Sequence, residues 1–570
     1  MNCRFIRRRV PALCALGALV LTLIGCGESK QTATASAALP SPSAGQVAPA
    51  SAAPKASFYA ASRFAEQASF GPTPALVAEL QTKGFERWID EQFALPVATI
   101  DIAPVANRFD SQNADESAYA RVQFGNLALT APDQLRLRVV WSLSQWLVMG
   151  GKSADALGRV TWLQMLMQQA FGNYGSLLRE LSIHPMMGYF LDNAQNRPKS
   201  AECPACAPNE NFARELLQLF SIGVLELQTD GTPRLDRRGK VIETYTQNDV
   251  AELARALTGW GFNPDPPNRQ PFDWGNWRKP MAPSTWPPER DAGRKVVLGK
   301  VLPAGQAARK DLDDVIDLLM AHPNVAPFIS LRLIQHLVTS DPTPAYLGRV
   351  AAKFRDNGAG VAGDLKATVK AVLLDEEARR GDVPAQAPRG FGKYREPYLW
   401  YWAVLRNLDC KRYLKLRAAA STSGMDPSYF NPLYDLMEQE SVFGFYMPTD
   451  RAPGSQLLAP EQAIVTAVHH AERFYMLRGM RWSESGRADN AVYLNAGCDL
   501  QPLVTAFSRS PAEFTAYVER RYFRSAMPPL LRQSIEHLMR TPSWDVNAPD
   551  DGALTMLGFA LATPQFGVIR

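Results

Sequence analysis

Apolar residues recur at three- and four-residue intervals along most of the chain, the spacing of one covered face of an α-helix. Leu76, Leu80 and Phe85 with Trp88 begin the series, which continues through residues 135–147, 163–171, 177–191 and 216–220. Pro208 and Asn209 supply the start signal for the last of these. Thr246, followed three residues later by Asp249, has the form of a capping box; behind it Val250, Leu253, Ala254 and Leu257 share one face, and Gly259 ends the run. Helical spacing resumes at 312–319, 328–337, 347–354, 365–374 and 398–408, and a later helix carries His469 and His470. Between the helices at 216–220 and 250–257, Asp230-Gly231 flanked by short extended runs predicts a small β-ribbon. Residues 263–294, rich in Pro and Trp, and the aromatic stretch 441–455 lack periodicity and read as long loops, a class that often carries function. The apolar end LGFALATPQFGVIR is expected to dock on the body. The pattern predicts a mainly α fold: a large multi-helix domain with a small β-hairpin insertion and long Pro/Trp-rich loops.

The first residues are of another kind. Arg4, Arg7, Arg8 and Arg9 precede an apolar run from Val10 to Ile24 that ends in Leu23-Ile24-Gly25-Cys26. This is the form of a signal peptide with a lipobox, in which Cys26 takes the lipid and becomes the first mature residue. The run falls short of the roughly twenty apolar residues that cross a bilayer. Residues 26–56, almost wholly Ser, Ala, Pro, Gln, Thr and Gly, hold too little apolar surface to fold and read as a tether. The expected organisation is a leader over 1–25, a lipid-anchored linker over 26–56 and one helical domain over 57–570. Its expected place is the cell envelope, on the periplasmic side or the surface of the outer membrane. The formal charge of +5 includes four leader arginines, so the mature chain carries only +1, and nothing in it makes an electrostatic case for nucleic acid.

Four cysteines remain in the mature body: Cys203, Cys206, Cys410 and Cys498. An even number in an oxidising compartment suggests two disulfides, and proximity favours pairing Cys203 with Cys206. The sharper readings of the CPAC sequence are a redox pair or half a zinc site. The first wants a helix N-terminus after a strand and the second wants two more ligands.

Several longer pieces occur in order: RFAEQASFGPTP from Arg63, DQLRLRVVWSLSQWLV from Asp133, AFGNYGSLLRELSIHPMMGYFLDNAQN from Ala170, PNENFARELLQLFSIG, YTQNDVAELARALTGW, HPNVAPFISLRLIQHLV from His322, YREPYLW from Tyr394, the SVFGFYMP loop with APEQ, and the terminal ATPQF. In these pieces the chain resembles the bacterial family known as domain of unknown function 1800. The resemblance implies a secreted or lipid-anchored, predominantly helical protein, often encoded beside a family with a sulfatase-like fold, and such a protein is the implied partner. No catalytic residue comes with it.

The densest polar set is Asp192, Asn193, Asn209, Glu210, Asn211, Glu215 and Asp249 near Arg214 and Arg255. On a helix, Asn211, Arg214 and Glu215 share a face. Three readings are open. The residues make a buried structural network of forked arginines and capping amides; they hold a hard cation such as calcium, although without EF-hand spacing; or two of Asp192, Glu210, Glu215 and Asp249 divide acid and base roles on a glycan. Trp260, Trp274, Trp277 and Trp286 lie in or beside the Pro-rich loop and either pack on the body or stack on sugar rings or a partner. The histidines read as structural: His184 and His322 precede prolines, His336 sits in an apolar helix, and His469-His470 lack the spacing of a zinc pair. The expected function is an accessory or binding protein acting with a secreted partner in surface-polymer metabolism, against an enzyme using the carboxylates above.

Overall fold

Ser57 starts the folded chain by accepting the Ala60 amide at 3.1 Å, which caps α1 (Phe58–Ala68). The computed structural model describes residues 55–105, 119–150, 156–263, 276–388, 390–412, 436–439, 441–480, 496–541 and 548–570. Residues 26–54, Cys26 included, and Trp274 lie outside the described residues. α1 is covered on nearly every side, so its charged side chains need partners within the protein. Arg63 donates to the Ala378 carbonyl at 2.6 Å and to Asp382 at 2.8 Å, while Glu66 accepts from Arg395 at 2.9 Å and from Arg524. Burial alone would raise the Glu66 carboxyl, but the two guanidinium groups outweigh it and hold it below its ordinary value. One buried carboxylate thereby joins the first helix to residues near the far end.

α2 (Pro74–Lys83) and α3 (Phe85–Ala94) divide at Gly84, whose φ of 79° an ordinary residue resists. α4 (Tyr119–Thr130) precedes α5 (Gln134–Trp146), every residue of which is buried, Arg136 and Arg138 included. α5 is therefore a central helix, around which others pack their apolar faces. After α6 (Ala156–Gln169), the run predicted as one helix over 177–191 is two, α7 (Tyr174–Ile183) and α8 (Pro185–Phe190). The break falls at His184, because the residue before a proline leaves helical backbone, and its ring caps α8 by accepting the Met186 amide at 3.2 Å.

α9 (Asn211–Gln218) leads into the predicted ribbon, which is more closed than a hairpin. Glu226 donates its amide to Ile242, Arg234 to Glu226, and Ile242 to Arg234, so each of three short segments bonds to both others. Asp230-Gly231 forms its first turn. α10 (Gln247–Ala256) begins with the predicted capping box between Thr246 and Asp249. Two antiparallel pairs follow, β1 (Trp260–Gly261) with β2 (Ala282–Pro283) and β3 (Lys295–Val297) with β4 (Lys300–Leu302).

The second half runs through α11 (Ala308–Ala321), α12 (Val325–Leu337), α13 (Pro344–Arg355), α14 (Leu365–Leu374) and α15 (Glu376–Arg380) to β5 (Lys393–Tyr394) and α16 (Pro397–Asn407). It then continues through α17 (Ala467–Gly479), α18 (Gln501–Arg509), α19 (Pro511–Tyr522), α20 (Pro529–Arg540), α21 (Pro549–Leu561), α22 (Pro564–Gly567) and β6 (Val568–Ile569). The apolar end docks as expected, with β6 antiparallel to β5. Prolines open many of these helices, where the missing N–H has no acceptor to lose. The fold is mainly α, and the named strands of the described residues form only two-stranded pairs. From Pro54 to Arg570 it forms one compact unit.

Both predicted disulfides are present, Cys203–Cys206 and Cys410–Cys498. The first closes a turn between α8 and α9, and with both thiols in the bond neither is a zinc ligand. Chain entropy separates the two bonds, which span 3 and 88 residues. Replacing Cys410 and Cys498 by serine is expected to cost about 4–5 kcal/mol of stability, against about 2 kcal/mol for Cys203 and Cys206. Guanidinium unfolding of the two variants checks the order, and equal losses would contradict it.

Candidate functional site

The polar constellation divides into separate structural tasks. The Asn196 side chain clamps the Asn209 main chain, donating to its carbonyl at 3.3 Å and accepting its N–H at 2.7 Å, and the Asn209 side chain in turn accepts the Asn211 amide at 2.8 Å at the start of α9. Asp192, in left-handed backbone with φ 55°, is exposed and touches only the Asn211 amide group at 3.4 Å, while the neighbouring Asn193 is buried. Glu210 pairs with Arg214 at 2.8 Å and accepts from Gln247 at 2.7 Å, which joins α9 to α10. Asp249 completes the cap of α10 and also accepts the Leu298 amide at 2.8 Å, fixing the turn between β3 and β4. Arg255 forks onto Asp291 and bonds Glu252 at 2.6 Å. Among the described residues no group of three or more His, Cys, Asp or Glu side chains is placed to hold a metal ion. Hydrogen bonds therefore engage these carboxylates one by one, with different partners.

Glu215 is the exception. It points inward from α9, only 5% exposed, with Oε2 enclosed and without a hydrogen-bond partner. Burial pushes its carboxyl up to about 7, and Arg214 only partly opposes this. The indoles also separate. Trp260 is buried in β1 beneath Arg309, and Trp277 is buried against Tyr189 and Phe262; neither offers a ring to a ligand. Trp286 is exposed.

A cavity of about 250 Å³ lies elsewhere, where segments distant in sequence converge. Phe328, Arg332, Gln335 and His336 line it from α12; their spacing of four, seven and eight residues places them on one helix face. Gln145 and Trp146 come from the end of α5, and Gln218 and Leu219 from the end of α9. The loop Val442–Thr449, with Pro460 and Glu461, closes the remaining side. Two glycines bring the walls together. A β-carbon on Gly223, φ 70°, would stand 2.7 Å from the Phe328 ring, and one on Gly444, φ 82°, would stand 3.0 Å from the Gln145 carbonyl. Val224, Phe443 and Met447 leave an exposed apolar rim.

Beneath the cavity sits a buried ionic group. Lys393 Nζ donates to Glu396 at 2.9 Å and to the His336 carbonyl at 3.3 Å, and lies 3.4 Å from Glu461. Ser340 donates its hydroxyl to Glu461 at 2.8 Å, and Arg138 reaches the same His336 carbonyl at 2.7 Å. The His336 ring stacks on Trp146 at 5.5 Å and on Tyr446 at 6.3 Å, with Trp141 at its edge. Burial first, then Lys393, Arg332 and Arg138, pushes its imidazole well below the ordinary range, so it is neutral at physiological pH. Its Nδ1 is enclosed without a partner. Burial, with the Glu396 and Glu461 carboxylates behind it, holds the Tyr446 phenol well above its usual value. Burial lowers Arg332 to about 10, which leaves it protonated at neutral pH.

Aromatic walls with a few convergent polar groups are the form of a small-ligand site. None of the four carboxylates proposed from the sequence lines it. The sequence reading met these residues only as scattered motif pieces and took His336 as structural. The available signal was the Gly-punctuated aromatic run SVFGFYMP followed by APEQ.

Glu215 supplies a test of the inward geometry. Its folded carboxyl is raised above its unfolded value of 4.5, so the native state holds the extra proton between about 4.5 and 7. Stability is therefore lost as pH rises through that window, by an amount on the order of 3 kcal/mol at most. Glu215→Gln is expected to be more stable than the parent at pH 8 and equal to it near pH 4. Urea unfolding at both values checks this; no advantage at pH 8 would place the carboxylate in water.

Residues 63–568 match a family whose description is protein of unknown function (DUF1800). No curated protein matches the chain, and neither does any solved structure. Matched over nearly its whole length, the chain belongs to the DUF1800 family.

Proposed function

We propose that this protein is an envelope lipoprotein that binds a ring-bearing unit of a surface polymer in the cavity between α12 and the Val442–Thr449 loop. The observation that carries the reading is the convergence there of aromatic side chains and side-chain amides from four separate parts of the chain. Flat apolar faces from Trp146, Phe328, Phe445 and Tyr446 suit the face of a sugar ring, and Gln145 and Gln218 suit its hydroxyls. The lipobox at Cys26 supports the location, and the low-complexity linker gives the body reach from the lipid surface. The resemblance stated above supports the partner, a secreted protein of sulfatase-like fold that the bound polymer unit is passed to or held for.

Binding is favoured over acid–base chemistry by the carboxylates read from the sequence. Glu210, Asp249 and Asp192 bond to different groups and none of them lines this cavity, and Glu215 is enclosed. The test uses the full-length protein in detergent and oligosaccharides released from the producing cell's envelope polymers, with affinity measured calorimetrically. Phe443→Ala, at the exposed rim, is expected to weaken binding by about tenfold, or about 1.4 kcal/mol, with no change in melting temperature. Full affinity in that variant together with Phe445→Ala would overturn the reading.

A further inference from the structure

Arg332 is half-buried and has almost nothing to hold. Arg406 spends its donors on the carbonyls of Gly71, Ala128 and Leu129, whereas Arg138 gives one to that of His336 and has its Nε and Nη1 enclosed without partners, away from the cavity lining. Arg332 makes one hydrogen bond, at 3.2 Å, to the neutral Oε1 of Gln335, and rests over the Phe328 ring at 4.9 Å. Among the described residues no carboxylate lies within ion-pair distance of it, and none of its nitrogens is sealed off from solvent. Arg332 itself lines the cavity.

The charges around this point do not balance. Lys393, Arg332 and Arg138 face His336, whereas the carboxylates facing the same group are Glu396 and Glu461. Lys393 contacts both carboxylates, and among the described residues neither Arg138 nor Arg332 makes an ion pair; of these two guanidinium groups Arg332 is the one that lines the cavity. His336 is 7% exposed, and its enclosed, unpartnered Nδ1 adds a second polar atom at the cavity wall that the fold does not satisfy. A guanidinium presents a planar fork that fits an oxyanion through two parallel hydrogen bonds, and the low dielectric of a partly enclosed site strengthens that pairing.

We propose that the ligand of this cavity is an acidic saccharide whose carboxylate or sulfate oxygens are held by the Arg332 guanidinium while its ring lies on the aromatic wall. This rests on the binding function proposed above and adds the class of ligand. A neutral sugar would leave the guanidinium without a counter-charge, and an acidic one supplies it.

The experiment separates the oligosaccharides from the cell's envelope polymers into neutral and acidic pools and measures binding of each to the full-length protein at low and moderate salt. The acidic pool is expected to bind about tenfold to a hundredfold more tightly than the neutral pool. Chemical reduction of carboxyl groups removes that preference if the anion is a carboxylate, and solvolytic desulfation removes it if the anion is a sulfate ester. Arg332→Gln is expected to abolish the preference and Arg332→Lys to retain part of it, each with unchanged circular dichroism. Equal binding of the two pools, or a preference that survives Arg332→Gln, would overturn the assignment and leave the saccharide reading standing. Binding of neither pool would overturn both.

Discussion

One buried ammonium group sets the position of most of what surrounds the cavity. Lys393 is fully covered, and taking its charge out of water costs several kcal/mol unless its protons meet good acceptors. Its acceptors are Glu396, just ahead of α16, and the His336 carbonyl in the last turn of α12, with Glu461 close by in the segment after the aromatic loop. The His336 carbonyl is one of the end groups that a helix leaves without an internal partner, and it lies at the negative end of the helix dipole. Lys393 and Arg138 both point at it. The cation thus links β5, α12 and the loop, while Arg138 adds α5.

The cavity follows from that arrangement. Gln335, beside His336, donates at 3.1 Å to the Pro448 carbonyl and to that of Ser340, so the same turn of α12 that receives the cations also holds the loop. Gln439 donates to the Ser144 carbonyl at 3.1 Å and fixes the approach to the loop against α5. The aromatic rings are therefore placed before any ligand arrives, which lowers the ordering cost of binding. Burial first, then Lys393, Arg332 and Arg138, keeps the imidazole of His336 neutral, and among the described residues Arg332 has no anion within ion-pair distance.

Much of the fold was legible because helix signals are local. The Thr246–Asp249 box and the ribbon turn at Asp230-Gly231 were read directly from adjacent residues. The division at His184 could also have been read there, since a residue before proline is biased away from helical backbone. The site was less legible, for a physical reason. The polar residues around Asp192 to Asp249 serve helix starts and helix-to-strand ties, which use many hydrogen bonds. Trp260 and Trp277, which the sequence left open between packing on the body and stacking on a ligand, are buried by strand pairing and aromatic packing. The cavity needs Trp146, Arg332 and Tyr446 together, and only long-range packing brings those three into one place.

Hydrogen–deuterium exchange of the full-length protein, with and without saturating acidic oligosaccharide, tests the central claim that this preformed cavity is where the ligand sits. The account predicts added protection confined to residues 442–449 and the 328–336 stretch of α12, with the segments around Asp192, Glu210 and Asp249 unchanged. Protection at those latter segments, with none at 442–449, would contradict it.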